Sequence, residues 1–138
     1  MCGLMFCDGR LDELKFMAGF ERLGHRGPDQ AIVHKTKDAW FGFHRLAIMD
    51  LSEKGMQPFE TDKLVLMCNG EIYNETKLKD VYFDYDYVSH SDCEVLLPLY
   101  LDKGPAMGAY LDAEFAFVLF DKQRDIVVAG SDPIGIRP

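Results

Sequence analysis

The residue best placed to do chemistry is Cys2, which directly follows the initiator Met. Its side chain is small, so an aminopeptidase that trims initiator Met would leave a thiol and a free α-amine on one residue. A thiol has an ordinary pKa of about 8.5 and an α-amine one of about 7.7–8.0, so the amine can take the thiol proton near neutral pH. One residue then serves as nucleophile and base. A second-position Cys is a one-residue signal, and its weight depends on what the rest of the chain supplies.

Three further stretches carry groups suited to a polar substrate. Arg45 lies within the apolar run 40–49, where a charge costs free energy unless paired; a permanent planar cation suits bidentate binding of a carboxylate, and a structural ion pair is the alternative. Asn69-Gly70 follows the apolar run 64–68 and in isolation reads as a hairpin turn. Ser91-Asp92-Cys93-Glu94 precedes a second apolar run and reads as a helix N-terminus, with Ser91 as cap and Glu94 completing a capping box.

These groups need elements to hold them. Residues 2–7 form a short apolar run before the turn signal Asp8-Gly9, which predicts a buried strand with the thiol at its free end; Cys7 then faces the side opposite Cys2. Residues 11–23 approximate helical spacing, with Leu11, Leu14, Met17, Ala18 and Leu23 on the apolar face. Gly24 stops that helix, and Gly27-Pro28 makes 25–29 a loop. Strands are predicted at 31–34 and 40–49 around a polar turn at 35–38, at 64–68, at 82–87 from alternation, and at 114–120 and 126–130 as a hairpin. A short helix or turn is expected at 75–80, and Pro98 should kink or shorten the helix after Ser91.

The composition sets bounds. At 138 residues with 48% hydrophobic residues the chain suits one domain with an ordinary core. A net charge of −8 argues against a general nucleic-acid or anionic-membrane binder and leaves room for a local basic pocket. No apolar run approaches the roughly 18 residues of a spanning helix and no signal peptide is visible, which predicts a cytoplasmic protein with no membrane partner. Cys2, Cys7, Cys68 and Cys93 form no C-x-x-C pair and no His stands at metal spacing from them, so they are expected to be reduced thiols and no metal is expected.

Five blocks occur in order: the Met1-Cys2-Gly3-Leu4 start, His25-Arg26-Gly27-Pro28-Asp29, Phe43-His44-Arg45-Leu46-Ala47-Ile48, Asn69-Gly70-Glu71-Ile72-Tyr73-Asn74, and Ser91-Asp92-Cys93-Glu94-Val95. Together they resemble the glutaminase domain of glutamine-hydrolysing asparagine synthetase, a class II glutamine amidotransferase of the N-terminal-nucleophile hydrolase class. The resemblance covers nearly the whole chain. It implies an α+β fold, an αββα sandwich of antiparallel sheets, and hydrolysis of L-glutamine to glutamate and ammonia through a Cys2 thioester. It also implies roles. The Asn69 side-chain amide and the Gly70 N–H stabilise the tetrahedral oxyanion, Arg45 holds the α-carboxylate with Ile48 lining the same pocket, Glu71 and Asp92 bind the α-ammonium, and Arg26 supports the site.

The chain departs from that pattern in three places. Ser131-Asp132 stands where the family usually has Arg-Asp before Gly-x-Arg-Pro, which removes a cation expected to anchor that loop, and Ala113 replaces a common Gly. The strands that follow Arg137-Pro138 in the family are expected to be missing, leaving a truncated second sheet. Residues 1–138 are expected to hold the glutaminase part alone, without synthetase domain or phosphate-binding loop, and glutamine hydrolysis is expected to need no cofactor. ATP and Mg chemistry, like the ammonia acceptor, would belong to a synthetase domain or partner chain, and an oligomer is allowed. Two other readings stay open: a non-catalytic interaction or regulatory module, and a glutaminase feeding a different amide acceptor.

Overall fold

The computed structural model describes residues 1–37 and 39–138; Asp38, the last residue of the predicted turn at 35–38, lies outside the described residues. The elements run β1 (Gly3–Cys7), α1 (Glu13–Glu21), β2 (Gln30–Lys35), β3 (Trp40–Arg45), β4 (Phe59–Glu60), β5 (Leu64–Ile72), α2 (Glu75–Val81), α3 (Leu96–Lys103), β6 (Ala113–Asp121) and β7 (Ile126–Ser131), with 3₁₀ turns between several of them. They build two antiparallel sheets, one of three strands in the order β1-β3-β2 and one of four in the order β4-β5-β6-β7.

Strand alternation explains how the layers assemble. On β1 and β3 one parity, Cys2, Leu4, Phe6, Phe41 and Phe43, packs against Val65, Met67 and Phe120 of the second sheet. The other parity, Met5, Cys7 and Trp40, packs against Phe16 and Phe20 of α1. The opposite face of the second sheet, with Leu64, Leu66, Cys68, Phe115, Phe117 and Leu119, packs against Leu78 of α2 and the buried row of α3. The order helix, sheet, sheet, helix is therefore an α+β sandwich of four layers, as the resemblance implies. It also places Cys7 on the far side of its strand from Cys2. Among the described residues no helix is long and apolar enough to cross a membrane.

Four local expectations are corrected. The helix predicted at 11–23 is shorter, capped by Asp12 accepting from the Lys15 N–H at 3.1 Å, and it buries Phe16 and Phe20 while Leu14 is 82% exposed. The two Phe residues stand four apart and stack with ring centroids 6.3 Å apart; each contributes roughly 1.5–3 kcal/mol through burial, which outweighs the weaker Leu and Ala stripe. The strand predicted at 40–49 ends at Arg45, so this residue is the strand's last and not an interior one. The alternating stretch 82–87 forms turns: Tyr82, Tyr85 and Tyr87 lean on the α3 core and Phe83 points outward. Ser91 does cap, accepting from the Cys93 N–H at 3.3 Å, yet Glu94 forms no capping box and instead takes the N–H groups of Val88 and Ser89. Pro98 does shorten the helix: α3 begins only at Leu96, after a 3₁₀ turn at Asp92–Val95.

Candidate functional site

Strand parity sends Cys2, Arg45 and Asn69 toward the space between the sheets, at the end where β1 begins and β3 finishes. The Cys2 sulfur accepts the Leu46 N–H at 3.3 Å, and the Leu46 carbonyl lies 3.6 Å from it. Arg26 Nε donates to the Cys2 carbonyl at 3.0 Å. The block 25–29 is legible from this geometry. Gly27 runs so close to the His44–Arg45 backbone that a Cβ there would collide with it. Asp29 then takes the Ala47 N–H at 2.8 Å, fixing the loop whose Leu46 N–H meets the sulfur.

Arg45 is buried, and its partners are all oxygens of uncharged groups: Gln30 Oε1 at 2.7 Å, the Ser52 carbonyl at 2.8 Å and the Asp50 carbonyl. The alternative of a structural ion pair is not realised among the described residues. Gly55 leaves room for the guanidinium, since a Cβ there would overlap it. The Asp50 carboxylate takes the N–H groups of Ser52 and His90, each at 2.8 Å. A hydrogen bond from the Ser52 side chain, followed by these two N–H groups, holds its pKa down at about 2. Ile48, on the same loop, is 68% exposed at the mouth.

The second sheet contributes the opposite wall. Asn69-Gly70 is no hairpin turn here: β5 runs through it, pairing Asn69 with Ala116 and Gly70 with Phe115. A side chain at Gly70 would strike the Glu114 carbonyl and Phe115, so the close approach of β6 explains the residue. Asn69 is buried, and its Nδ2 donates to the Pro138 carbonyl at 3.4 Å. Asp92 is buried and accepts the Ile72 N–H at 2.7 Å; burial pushes its carboxyl above the ordinary value. Glu71 is half exposed, and Arg137, which pairs with Glu114, comes within 3.9 Å of it. The loop before Arg137 is anchored without the cation missing at Ser131. The Asp132 carboxylate takes the N–H groups of Phe115, Ile134, Gly135, Ile136 and Arg137.

Cys2, Arg45, Ile48, Asn69, Gly70, Glu71 and Asp92 all line one cavity of about 130 Å³. Arg26 stands behind it, on the Cys2 backbone. Three further lining residues, none given a role in the site from sequence, bear on its geometry. Asp50 is one. Gln57 is the second: β4 is only two residues long, and two residues before it, opposite Cys68, the Gln57 side chain substitutes for main chain, donating to the Cys68 carbonyl at 3.0 Å and accepting the Cys68 N–H at 2.6 Å. Cys93 is the third. Its thiol is held neutral, first by a hydrogen bond with Cys68 and then by burial. No single-sequence signal marks Asp50 or Gln57, because both lie in a polar loop whose path only the fold defines. Among the described residues no group of three or more His, Cys, Asp or Glu side chains is arranged to hold a metal ion.

Comparison with known proteins identifies a family and several relatives. A family model described as a glutamine amidotransferase domain matches residues 1–138. A probable glutamine-hydrolyzing asparagine synthetase of Dictyostelium discoideum is 38% identical over 148 residues, covering 100% of this chain and 26% of the relative. One of Schizosaccharomyces pombe is 40% identical over 144 residues, covering 99% of this chain and 26% of the relative. Asparagine synthetase B of Escherichia coli, also glutamine-hydrolyzing, is 41% identical over 117 residues, covering 83% and 21% respectively. The chain thus spans about a quarter of the length of these relatives.

Proposed function

The chain belongs to the glutamine amidotransferase domain family, homologous to the glutaminase part of asparagine synthetases, and from that membership we propose that it hydrolyses L-glutamine to glutamate and ammonia. The observation that carries this reading is the convergence of Cys2, a cation bonded only to neutral oxygens, and the acids Glu71 and Asp92 on one cavity. Arg45 presents its guanidinium to the α-carboxylate, and Glu71 with Asp92 takes the α-ammonium. With both charges fixed at the walls, the neutral side-chain amide reaches toward Cys2.

Removal of Met1 frees the α-amine of Cys2, which takes the thiol proton. The sulfur attacks the amide carbon, a C–S bond forms, and the carbonyl oxygen becomes an oxyanion facing the Asn69 amide and the Gly70 N–H. Each fixed donor lowers such a barrier by a few kcal/mol, on the order of 3. The intermediate collapses with loss of ammonia, which leaves with the proton held by the amine. Water then cleaves the glutamyl thioester. No cofactor takes part in these steps. The ammonia passes to an acceptor site on another domain or chain, and the names of the relatives favour asparagine synthesis as its use.

The test is to incubate the protein with 6-diazo-5-oxo-L-norleucine and map the adduct by mass spectrometry, alongside an assay for glutamate and ammonia. Labelling at Cys2 in chains that lack Met1, with glutamate formed and both signals lost in Cys2→Ala, is the expected result. A folded, Met1-free protein that neither labels nor hydrolyses glutamine would sink the proposal.

A further inference from the structure

The groups assigned to the two ends of the amino acid stand on different segments. Arg45 closes β3 and grips the following loop through the carbonyls of Asp50 and Ser52. Asp92 opens the 3₁₀ turn beyond residues 88–91 and is fixed to β5 by the Ile72 N–H. The second segment is otherwise secured largely by its own groups. Glu94 takes the N–H groups of Val88 and Ser89, Ser89 Oγ takes the Ser91 N–H, and Ser91 caps the turn.

One side chain joins the two segments. Asp50 is buried, and its carboxylate accepts the Ser52 N–H of its own loop and the His90 N–H of the other, each at 2.8 Å. His90 lies two residues before Asp92, and the carbonyl of Asp50 is itself an Arg45 acceptor. Among the described residues the His90–Asp50 bond is the hydrogen bond that links these loops. A bridge of this kind needs an ionised carboxylate, because both of its oxygens accept; an amide offers one acceptor and turns donors toward the second N–H.

We infer that Asp50 is a positioning residue that sets the separation between the Arg45 cation and the Asp92 carboxylate, and so restricts the site to ligands carrying carboxylate and ammonium on one carbon. The inference rests on the glutaminase reading. A ligand that engages both groups depends on their spacing. A ligand lacking the ammonium engages Arg45 alone, and the spacing does not concern it.

The experiment uses the full chain with Cys2→Ala, so that ligands bind without turnover, and titrates it calorimetrically with L-glutamine and with 4-carbamoylbutanoate, the same molecule without its α-amine. Adding Asp50→Asn should weaken L-glutamine about 10- to 100-fold, the loss of one charge-assisted hydrogen bond, while 4-carbamoylbutanoate changes by less than about 3-fold. His90→Pro, which deletes the donor and leaves Asp50 in place, should reproduce the same selective loss. Equal weakening of both ligands, or no weakening of either, overturns the inference alone. Unfolding of both variants also overturns it, since Asp50 would then hold the domain together and not the spacing of two groups. Failure of the Cys2→Ala parent to bind L-glutamine overturns the glutaminase reading and this inference with it.

Discussion

Arg26 Nε donates to the Cys2 carbonyl at 3.0 Å, so the proposed nucleophile is gripped on its C-terminal side while Met1, on the other side, is 46% exposed. The arrangement leaves the Met1–Cys2 bond open to a peptidase and fixes the residue that remains. A guanidinium behind the backbone acts on position and not on the reacting atoms. Arg26→Ala should therefore lower glutaminase kcat on the order of 10- to 100-fold, with KM for glutamine changing less than about 3-fold, as expected when a reacting group is misplaced by about 1 Å. Steady-state kinetics would show it, and an equal rise in KM would count against a positioning role.

Arg45 has a double duty that separates two variants. Its guanidinium fork holds the carbonyls of Asp50 and Ser52 and faces the cavity. Arg45→Ala leaves buried acceptors unpaired and should cost about 1–3 kcal/mol of stability as well as glutamine binding. Arg45→Lys keeps the charge but loses the fork, so it should retain more stability and still raise KM for glutamine about 10-fold or more. Urea denaturation beside the kinetic assay distinguishes the two effects.

How much of this was legible beforehand depends on what each residue does. Cys2 and Asn69-Gly70 belong to ordered blocks, and short continuous apolar runs placed their strands, as the pattern rule intends. The stretch 82–87 shows the limit of that rule: its tyrosines alternate along the chain but fold as turns because they pack on α3, which only tertiary contacts decide. Leu14 failed as a core position for the same reason, since Phe16 and Phe20 offered the larger surface to Trp40. Glu94 fitted a capping box by spacing, yet bonded to Val88 and Ser89 once the preceding loop turned back on it. Asp50 and Gln57 act on backbone groups far along the chain, and no local pattern records such partners.

Asp50 gives a pH signature. The side chain and backbone of Ser52 and the His90 backbone, with the His90 charge adding to them, hold its pKa at about 2, below the ordinary 3.8. A depressed carboxyl contributes stability that is fully present above 3.8 and lost as pH falls toward 2. Asp50→Asn should be less stable at neutral pH and should show a shallower decline between those two values. Urea midpoints measured across that window check the prediction, and parallel curves for parent and variant would refute it.

Asp92 carries the opposite sign. Burial raises its carboxyl above 3.8 despite the N–H groups of Ile72 and Cys93 that pull it down. A folded-state carboxyl that holds its proton more tightly than the unfolded one favours folding at low pH; that advantage is lost as pH rises from 3.8 through the raised value, and above it the ionised form is a burden. Asp92→Asn removes the charge, and its Oδ1 can still accept the Ile72 N–H. At neutral pH the variant should melt at or above the parent temperature, with the gap closing below 3.8. The same change deprives a bound ammonium of its buried counter-charge, so L-glutamine should bind about 10- to 100-fold more weakly. A carboxylate that is a liability to the empty domain becomes favourable only when a cation enters. Saturating L-glutamine should therefore raise the melting temperature of the Cys2→Ala parent well above that of Cys2→Ala with Asp92→Asn, reversing their order. Differential scanning calorimetry with and without ligand reads both orders, and an unchanged order would place the ammonium elsewhere.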